Sequence, residues 1–397
     1  MSIPTVSLLK LALMTKNPAG GFGIPILLWG DPGTAKSAMV EQAAESLGLH
    51  CKVLSPSEHG DGAFGVTPVP VGTPGDVRSL RIGYPAPEWV DEFEDDGNGA
   101  GVLFVDELNT PAAQHLFGPM LALLHARRIA GRQLPNRVRV VGAANPIDSA
   151  AGGLELPQSL ANRMGHFYGV PPTQAEWASF LLSGQGASLT TSNLATEEAR
   201  VEGLWGAAYA RAASEVAAFT KARPELLHKK PEVMDPKGGT AWPSRRSWHL
   251  ATYALTGCAI HGLSEYADEI VAGFVGSAAA TEFCAYRRAL DLPDFEHLLD
   301  GKIAWKYDPH RLDVGMAVCS GAASLVATSA KDHPLRTART LAMWKVLAPI
   351  SSIAPDITFD GASILCKAHL ESLTPEIDLA SAPVRNSIWP LQQAMKA

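Results

Sequence analysis

The chain lacks any Cys-x-x-Cys pair, any long charge-free apolar run and any excess of basic charge. Each absence removes a class of protein. Its five cysteines, Cys51, Cys258, Cys284, Cys319 and Cys366, are odd in number and widely scattered. That argues against a disulfide framework and for reduced, buried thiols in a cytoplasmic protein. Cys258 and His261 have half of a metal-ligand spacing, but no second half follows, so no metal site is expected there. The longest segments without Asp, Glu, Lys or Arg are Trp177–Thr196, Ser247–Ser264 and Val314–Ala330. Each is diluted by Gly, Ser, Thr or His, which is too polar for a membrane span. The N-terminus has no basic region leading into a long apolar stretch and a small-residue cleavage site, so no signal peptide is expected. A net charge of −7, from 33 basic and 40 acidic residues, argues against bulk electrostatic binding to nucleic acid.

What the chain does have is a globular composition. Over 397 residues, 46% are hydrophobic and 18% charged, enough for two or three domains with a sizeable core. Its most informative stretch is Ile24–Ser37. The apolar run to Trp29 reads as a buried strand that breaks at Gly30-Asp31-Pro32-Gly33. A helical segment then runs from Lys36 to Leu47. Strand, glycine turn and helix form a phosphate cradle over Gly30, Asp31, Pro32, Gly33, Thr34, Ala35, Lys36 and Ser37. Turn N–H groups and the positive end of the helix face the anion, Lys36 adds a charge for the β/γ-phosphates, and the Ser37 hydroxyl can ligate Mg²⁺. Ala35 stands where the pattern G-x-x-x-x-G-K-[ST] has its last glycine.

Further along, Thr5–Met14 reads as a short amphipathic helix, and His50–Leu54 and Gly101–Asp106 as strands. Ser55–Pro87 is irregular and rich in Gly and Pro (Gly60, Gly62, Gly65, Pro68, Pro70, Gly72, Pro74, Gly75), as functional loops or insertions are. The acidic cluster Asp91, Glu92, Glu94, Asp95 and Asp96 reads as a solvated helix end and loop. A helix over Ala112–Ala126 leads to an Arg127–Gln133 hairpin, and Arg137–Ala143 is a strand ending at Asn145-Pro146. His166–Val170 is the next strand. This alternation implies a mainly parallel sheet between helical layers, with ligands at the C-terminal strand ends. Thr173-x-x-Glu176 is a capping box, after which the chain reads as helical apart from a Lys/Pro/Glu-rich interruption at Lys221–Gly239. There is no internal repeat.

Three strand ends carry polar groups suited to one reaction. Asp106 closes an apolar strand and can hold Mg²⁺, while Glu107 orients a water for attack on a γ-phosphate. Asn145 can hydrogen-bond that phosphate or its water. Arg163, before the His166 strand, and Arg246, with its neighbour Arg245 at the start of a later helix, are candidate cations for the charge that develops on the transferred group.

Taken together, Gly30-Asp-Pro-Gly-Thr-Ala-Lys-Ser37, Val102-Leu-Phe-Val-Asp-Glu-Leu-Asn109, Gly142-Ala-Ala-Asn-Pro146, Leu160-Ala-Asn-Arg163 and Pro243-Ser-Arg-Arg-Ser-Trp248 resemble a AAA+ ATPase. The resemblance is to the MoxR type of the helix-2-insert clade, related to magnesium-chelatase ATPase subunits. It is specific over Ile24–Trp177, extends to Thr240–Asp294, and tolerates Ala35. It implies an α/β P-loop NTPase core over residues 1–172, an α-helical lid over 173–295 and a helical C-terminal extension over 296–397. It further implies ATP and Mg²⁺ as cofactors. Lys36 and Ser37 would be Walker A, Asp106 and Glu107 Walker B, and Asn145 sensor 1. Arg163 would be the arginine finger reaching a neighbouring subunit, and Arg246 sensor 2, with Arg245 as the other candidate. Met164 stands where the family usually has Phe. Ser55–Pro87 would be the helix-2 insertion and Arg127–Gln133 the pre-sensor hairpin, both facing the pore of a ring. Phe64 is either a core aromatic pinning its loop or a contact to substrate.

The reading that follows is a chaperone-like remodelling ATPase working as a hexameric ring on a protein partner, with a von Willebrand factor A (VWA) domain as the implied partner. Two alternatives remain open. One is a nucleic-acid motor, given Arg127, Arg128, Arg132, Arg137 and Arg139 near the hairpin. The other is a nucleotide-gated scaffold with negligible turnover.

Overall fold

The structure, a computed structural model, describes residues 2–73, 76–95, 99–147, 153–183, 193–232 and 235–394. Asp96, Pro74, Gly75 and part of the 221–239 interruption lie outside these residues.

The chain opens with α1 (Thr5–Met14), β1 (Ile26–Trp29), α2 (Lys36–Ser46), β2 (His50–Leu54) and α3 (Pro56–Ala63). A small hairpin, β3 (Val69–Val71) and β4 (Arg81–Gly83), then precedes α4 (Glu92–Asp95) and β5 (Ala100–Val105). Next come α5 (Phe117–Leu121), the paired β6 (Arg128–Ile129) and β7 (Arg132–Gln133), β8 (Arg137–Ala144), α6 (Gln158–Ala161) and β9 (Gly165–Tyr168). Helices follow: α7 (Gln174–Ser183), α8 (Leu194–Ala222), α9 (Arg245–His261), α10 (Ala267–Val275) and α11 (Ser277–Ala289). The last are α12 (Phe295–Leu299), α13 (Leu312–Thr328), α14 (Arg336–Ser351), α15 (Pro355–Lys367) and α16 (Pro375–Ala394).

The chain divides into two compact units, residues 1–201 with 228–280, and residues 202–227 with 281–397. The 173–295 segment contributes to both. In the first unit, five parallel strands form one sheet in the order β2-β5-β8-β1-β9. β1 and β5 are buried along their whole length, as strands covered on both faces must be. This is an α/β core built on a parallel sheet. Register decides what meets at the sheet's C-terminal edge: Leu54 pairs with Val105, Val105 with Gly142, and Trp29 with both Ala144 and Tyr168. Ser55, Asp106, Asn145 and Gly30 therefore leave adjacent strands side by side. The second unit is all-helical among its described residues, its core drawn from α8 and from α12 to α16 around Trp344, Met343 and Cys319.

Three expectations need correction. α1 is not amphipathic. With Lys10 as its single charge, it is buried on nearly every side, and it packs on α2 and α9. Ser55–Pro87 is not simply irregular, since α3 and the β3–β4 hairpin lie within it. The expected 112–126 helix is wound as 3₁₀ over Pro111–Leu116, α over Phe117–Leu121 and π over Ala122–Ala126. Pro111, Gly118 and Pro119 supply the reason: the prolines cannot donate and the glycine costs helix propensity. Phe64 takes the core reading, at 1% exposure within the first unit's hydrophobic cluster. The capping box is present in full, Thr173 and Glu176 each bonding the other's backbone N–H.

Candidate functional site

The turn after β1 is shaped by its glycines and by one alanine. Gly33 has φ +81°, and Gly30 has Thr34 Oγ1 only 3.1 Å from where a Cβ would stand. Ala35 caps α2 in the left-handed region (φ 63°, ψ 22°), the conformation for which the motif's usual glycine is suited. No acidic side chain occupies the first turn of α2 and no side chain caps it, so its leading N–H groups face the cradle.

Inside this turn Lys36 folds back. Its Nζ donates to the Gly30 carbonyl (2.6 Å), the Asp31 carbonyl (3.0 Å) and Asn145 Oδ1 (3.0 Å). Burial lowers the Lys36 pKa, opposed by the carboxylates of Asp106, Asp31 and Glu107. Ser37 Oγ donates to Asp106 Oδ2 at 2.5 Å. A hydroxyl and a carboxylate oxygen sharing one point are a hard oxygen set. That suits Mg²⁺, which takes one or two protein oxygens and completes its shell with phosphate and water. Among the described residues no group of three or more His, Cys, Asp or Glu forms a metal cage.

Glu107 follows in a left-handed conformation (φ 53°), its N–H bonded to Asp106 Oδ1 at 2.8 Å. Its carboxylate accepts from Ser57 Oγ in α3 (2.5 Å) and from Ser55 Oγ just after β2 (3.3 Å). Asn145 is held by Asn109. The Asn109 side chain donates to the carbonyls of Asn145 (2.8 Å) and Leu154 (3.3 Å) and accepts the Asn145 N–H (3.2 Å). Asn109 is 1% exposed. Ser55, Ser57 and Asn109 were not singled out from sequence. For Asn109, a polar side chain three residues beyond Asp106 was the one available signal.

Beside the cradle lies a cavity of about 400 Å³ lined by Gly33, Ala35, Met39, Thr5, Trp177 and Phe180, among others. Its mixed apolar and polar wall next to a phosphate turn has the character of a pocket for a flat heterocycle.

The arginines gather elsewhere. Arg163 precedes β9, where the Gly165 N–H bonds the Pro25 carbonyl at 3.0 Å, so it sits at the N-terminal end of β1. A strand's length, about 13 Å, separates that end from the cradle. Arg163 shares a cavity of about 500 Å³ with Arg245, Arg246, Arg127 and His249. Arg246 also opposes the charge on Arg163, whose pKa is lowered first by burial and then by this neighbour. Arg163 donates through one terminal nitrogen to the Ser159 carbonyl. The structure thus brings Lys36, Ser37, Asp106, Glu107 and Asn145 to one edge, and Arg163, Arg245 and Arg246 to the other.

The hairpin arginines are mostly spoken for. Arg139 is fully buried on Glu198, which also binds Arg137, and Arg132 pairs with Asp91 and Glu94. Among the described residues no helix is long and apolar enough to cross a membrane.

No known family model matches the chain. Over 160 residues it is 32% identical to a protein named Midasin from Giardia intestinalis; the match covers 37% of this chain and 3% of that much longer relative. A solved structure from Cytophaga hutchinsonii ATCC 33406, described as a candidate ATPase, is similar with 14% identity and a TM-score of 0.40. That likeness covers 68% of this chain and 80% of the other.

Proposed function

We propose that the chain is an ATP-hydrolysing remodelling ATPase of the AAA+ class and MoxR type. It would work as an oligomeric, hexameric ring on a protein partner, a VWA-domain protein being the partner the resemblance implies. The observation that carries this reading is the pair of contacts Lys36–Asn145 and Ser37–Asp106, joining three strand ends at the sheet's C-terminal edge.

In this reading the cradle N–H groups and Lys36 hold the β- and γ-phosphates, and the neighbouring cavity takes the base. Ser37 and Asp106 would hold Mg²⁺, which supplies charge neutralisation on the phosphate oxygens. Glu107 orients a water for in-line attack on the γ-phosphorus and takes up its proton. The new P–O bond forms as the bond to the β–γ bridging oxygen breaks, and ADP leaves with that electron pair. Asn145, fixed by Asn109 and already on Lys36, donates to the γ-phosphate. Arg163 lies at the opposite end of β1 from its own cradle, which suits a cation offered to the nucleotide of an adjacent copy. Arg246 and Arg245 lie in the same cavity, so whichever acts as sensor 2 is supported as acting across that same boundary.

The test is ATP turnover with oligomer size. The unaltered chain is expected to release phosphate. Glu107→Gln is expected to bind ATP, form rings visible by mass photometry and lose at least about 100-fold in turnover. Turnover near that of the unaltered chain in Glu107→Gln would remove Glu107 from the mechanism. A negligible rate in the unaltered chain would favour the nucleotide-gated scaffold. The nucleic-acid motor is disfavoured by the arginines already held by Glu198, Asp91 and Glu94.

A further inference from the structure

The cavity that holds Arg163 and Arg246 has a floor which the hydrolytic reading does not use. Arg127 forms it. This side chain is 8% exposed, and its Nε has no hydrogen-bond partner among the described residues. The Nε of Arg163 in the same cavity is also buried and has no partner among the described residues. Among the described residues no carboxylate lines the space, although four guanidiniums and His249 do. Like charges gathered without a counter-charge, with two donors buried and unmet, define the missing occupant: an anion rich in acceptor oxygens. Arg127 bears the cost visibly, since burial and the nearby Arg139 bring its pKa down to about 10.

The rest of Arg127 is tied to the hairpin. One terminal nitrogen donates to the carbonyls of Pro135, Asn136 and Val138, where the hairpin joins β8. Its own carbonyl accepts from the Leu134 N–H (2.8 Å) and from Gln133 Nε2 (3.0 Å). Its backbone is left-handed at φ 52°, as are Ala130 and Gly131 in the turn. Two strands of two residues each have little stability of their own, so their base decides their order.

We propose that Arg127 is a positioning residue that couples occupancy of this cavity by an oligophosphate tail to the order of the Arg128–Gln133 hairpin. The proposal rests on the reading of Arg163 and Arg246 as groups for a neighbouring copy's triphosphate. An anion held in the cavity that Arg127 lines pairs with the guanidinium charge and fixes the guanidinium plane. The same plane holds the carbonyls from which the hairpin springs, so the hairpin tightens when the cavity is filled.

The experiment uses the full chain carrying Lys36→Ala, which weakens the cradle as a competing anion site, with sodium tripolyphosphate as the probe. Hydrogen exchange across residues 128–134 is followed by mass spectrometry, and binding by calorimetry. At ten times its dissociation constant, tripolyphosphate is expected to slow exchange of the Leu134 amide by about tenfold. Adding Arg127→Leu is expected to abolish the slowing while binding persists through Arg163 and Arg246. Adding Arg127→Lys, which keeps a cation at the floor, is expected to restore part of it, and this variant carries the test where Arg127→Leu does not fold. Equal slowing with and without Arg127 overturns the proposal. So does binding without any change in the hairpin, or no binding at all. Failure of the hydrolytic reading is seen separately, as absent ATP turnover by the unaltered chain.

Discussion

Replacing Asn109 with alanine is expected to damage both stability and turnover, although Asn109 touches no phosphate in the proposed mechanism. The side chain is 1% exposed and makes three hydrogen bonds, at 2.8, 3.2 and 3.3 Å, to the backbone of Asn145 and Leu154. Each is worth about 1 kcal/mol net. Truncation also leaves the Asn145 N–H and carbonyl and the Leu154 carbonyl short of partners, so the expected loss is about 2–4 kcal/mol. Urea titration followed by tryptophan emission, with Trp29 and Trp89 both buried in the first unit, reads that loss. Turnover should fall as well, because the Asn145 backbone that Asn109 anchors carries the side chain on Lys36 Nζ. A shift of about 1 Å at a positioned group costs about 100-fold, so kcat should fall by about 10- to 100-fold with ATP still bound. Asn109→Asp is the internal control. It keeps an acceptor for the Asn145 N–H, loses both donations and buries a carboxylate against two carbonyl oxygens, so it should be damaged at least as much as Asn109→Ala. A loss below about 0.5 kcal/mol with kcat within about twofold would refute the reasoning, because the buried network would then be dispensable.

Ala35→Gly should stabilise the chain. A left-handed L-residue costs about 1–2 kcal/mol, and the glycine's extra unfolded-state freedom returns about 0.4–1 kcal/mol of that, leaving a net gain between about 0 and 1.6 kcal/mol; destabilisation in urea would contradict the φ of 63°. Arg163→Ala should abolish turnover and spare nucleotide binding, and mixing it with Lys36→Ala should restore part of the activity in mixed rings. No rescue at any ratio would count against a site shared between copies. His166 accepts from Trp29 Nε1 at 3.1 Å through Nδ1 and lies 2.9 Å from the Ala161 carbonyl through Nε2. Burial brings its pKa from 6.5 to about 4. The unfolded chain takes a proton below about pH 6.5 that the folded chain refuses until about pH 4. The stability from this group is therefore complete above that window and is lost as pH falls through it, by about 2 kcal/mol at pH 5. His261, also brought to about 4, acts in the same window, and His166→Gln should flatten part of the slope in urea titrations at pH 7 and pH 5.

How much of this was legible depends on how far each signal reaches along the chain. β1, its glycine turn and α2 are contiguous, so an apolar run broken by Gly30-Asp-Pro-Gly33 was enough to find them. The hairpin was legible for the same reason, Ala130-Gly131 being a two-residue turn between arginine-bearing arms. α3 was hidden because its residues are poor helix formers: Gly60 sits at φ 60°, ψ −165°, outside helical space. What holds α3 is remote, namely Trp89 Nε1 on the Ala63 carbonyl, His115 on Asp61 and Glu107 on Ser57. Asn109 was hidden in another way. A polar residue near a strand end reads as surface until the fold closes over it.

The arginines show the limit most clearly. Arg163 and Arg246 were each visible as a basic residue in a recognisable string, yet no local pattern says that they share one cavity. Nor does any pattern say that this cavity lies a strand's length from Lys36. That follows from the register in which β9 pairs with β1, which puts Gly165 against Ile26 and so carries Arg163 to the strand's entry rather than its exit. In the proposed reading, a cation placed there serves phosphoryl transfer only for a nucleotide held by another copy. Its separation from Lys36 is set by backbone pairing within the sheet.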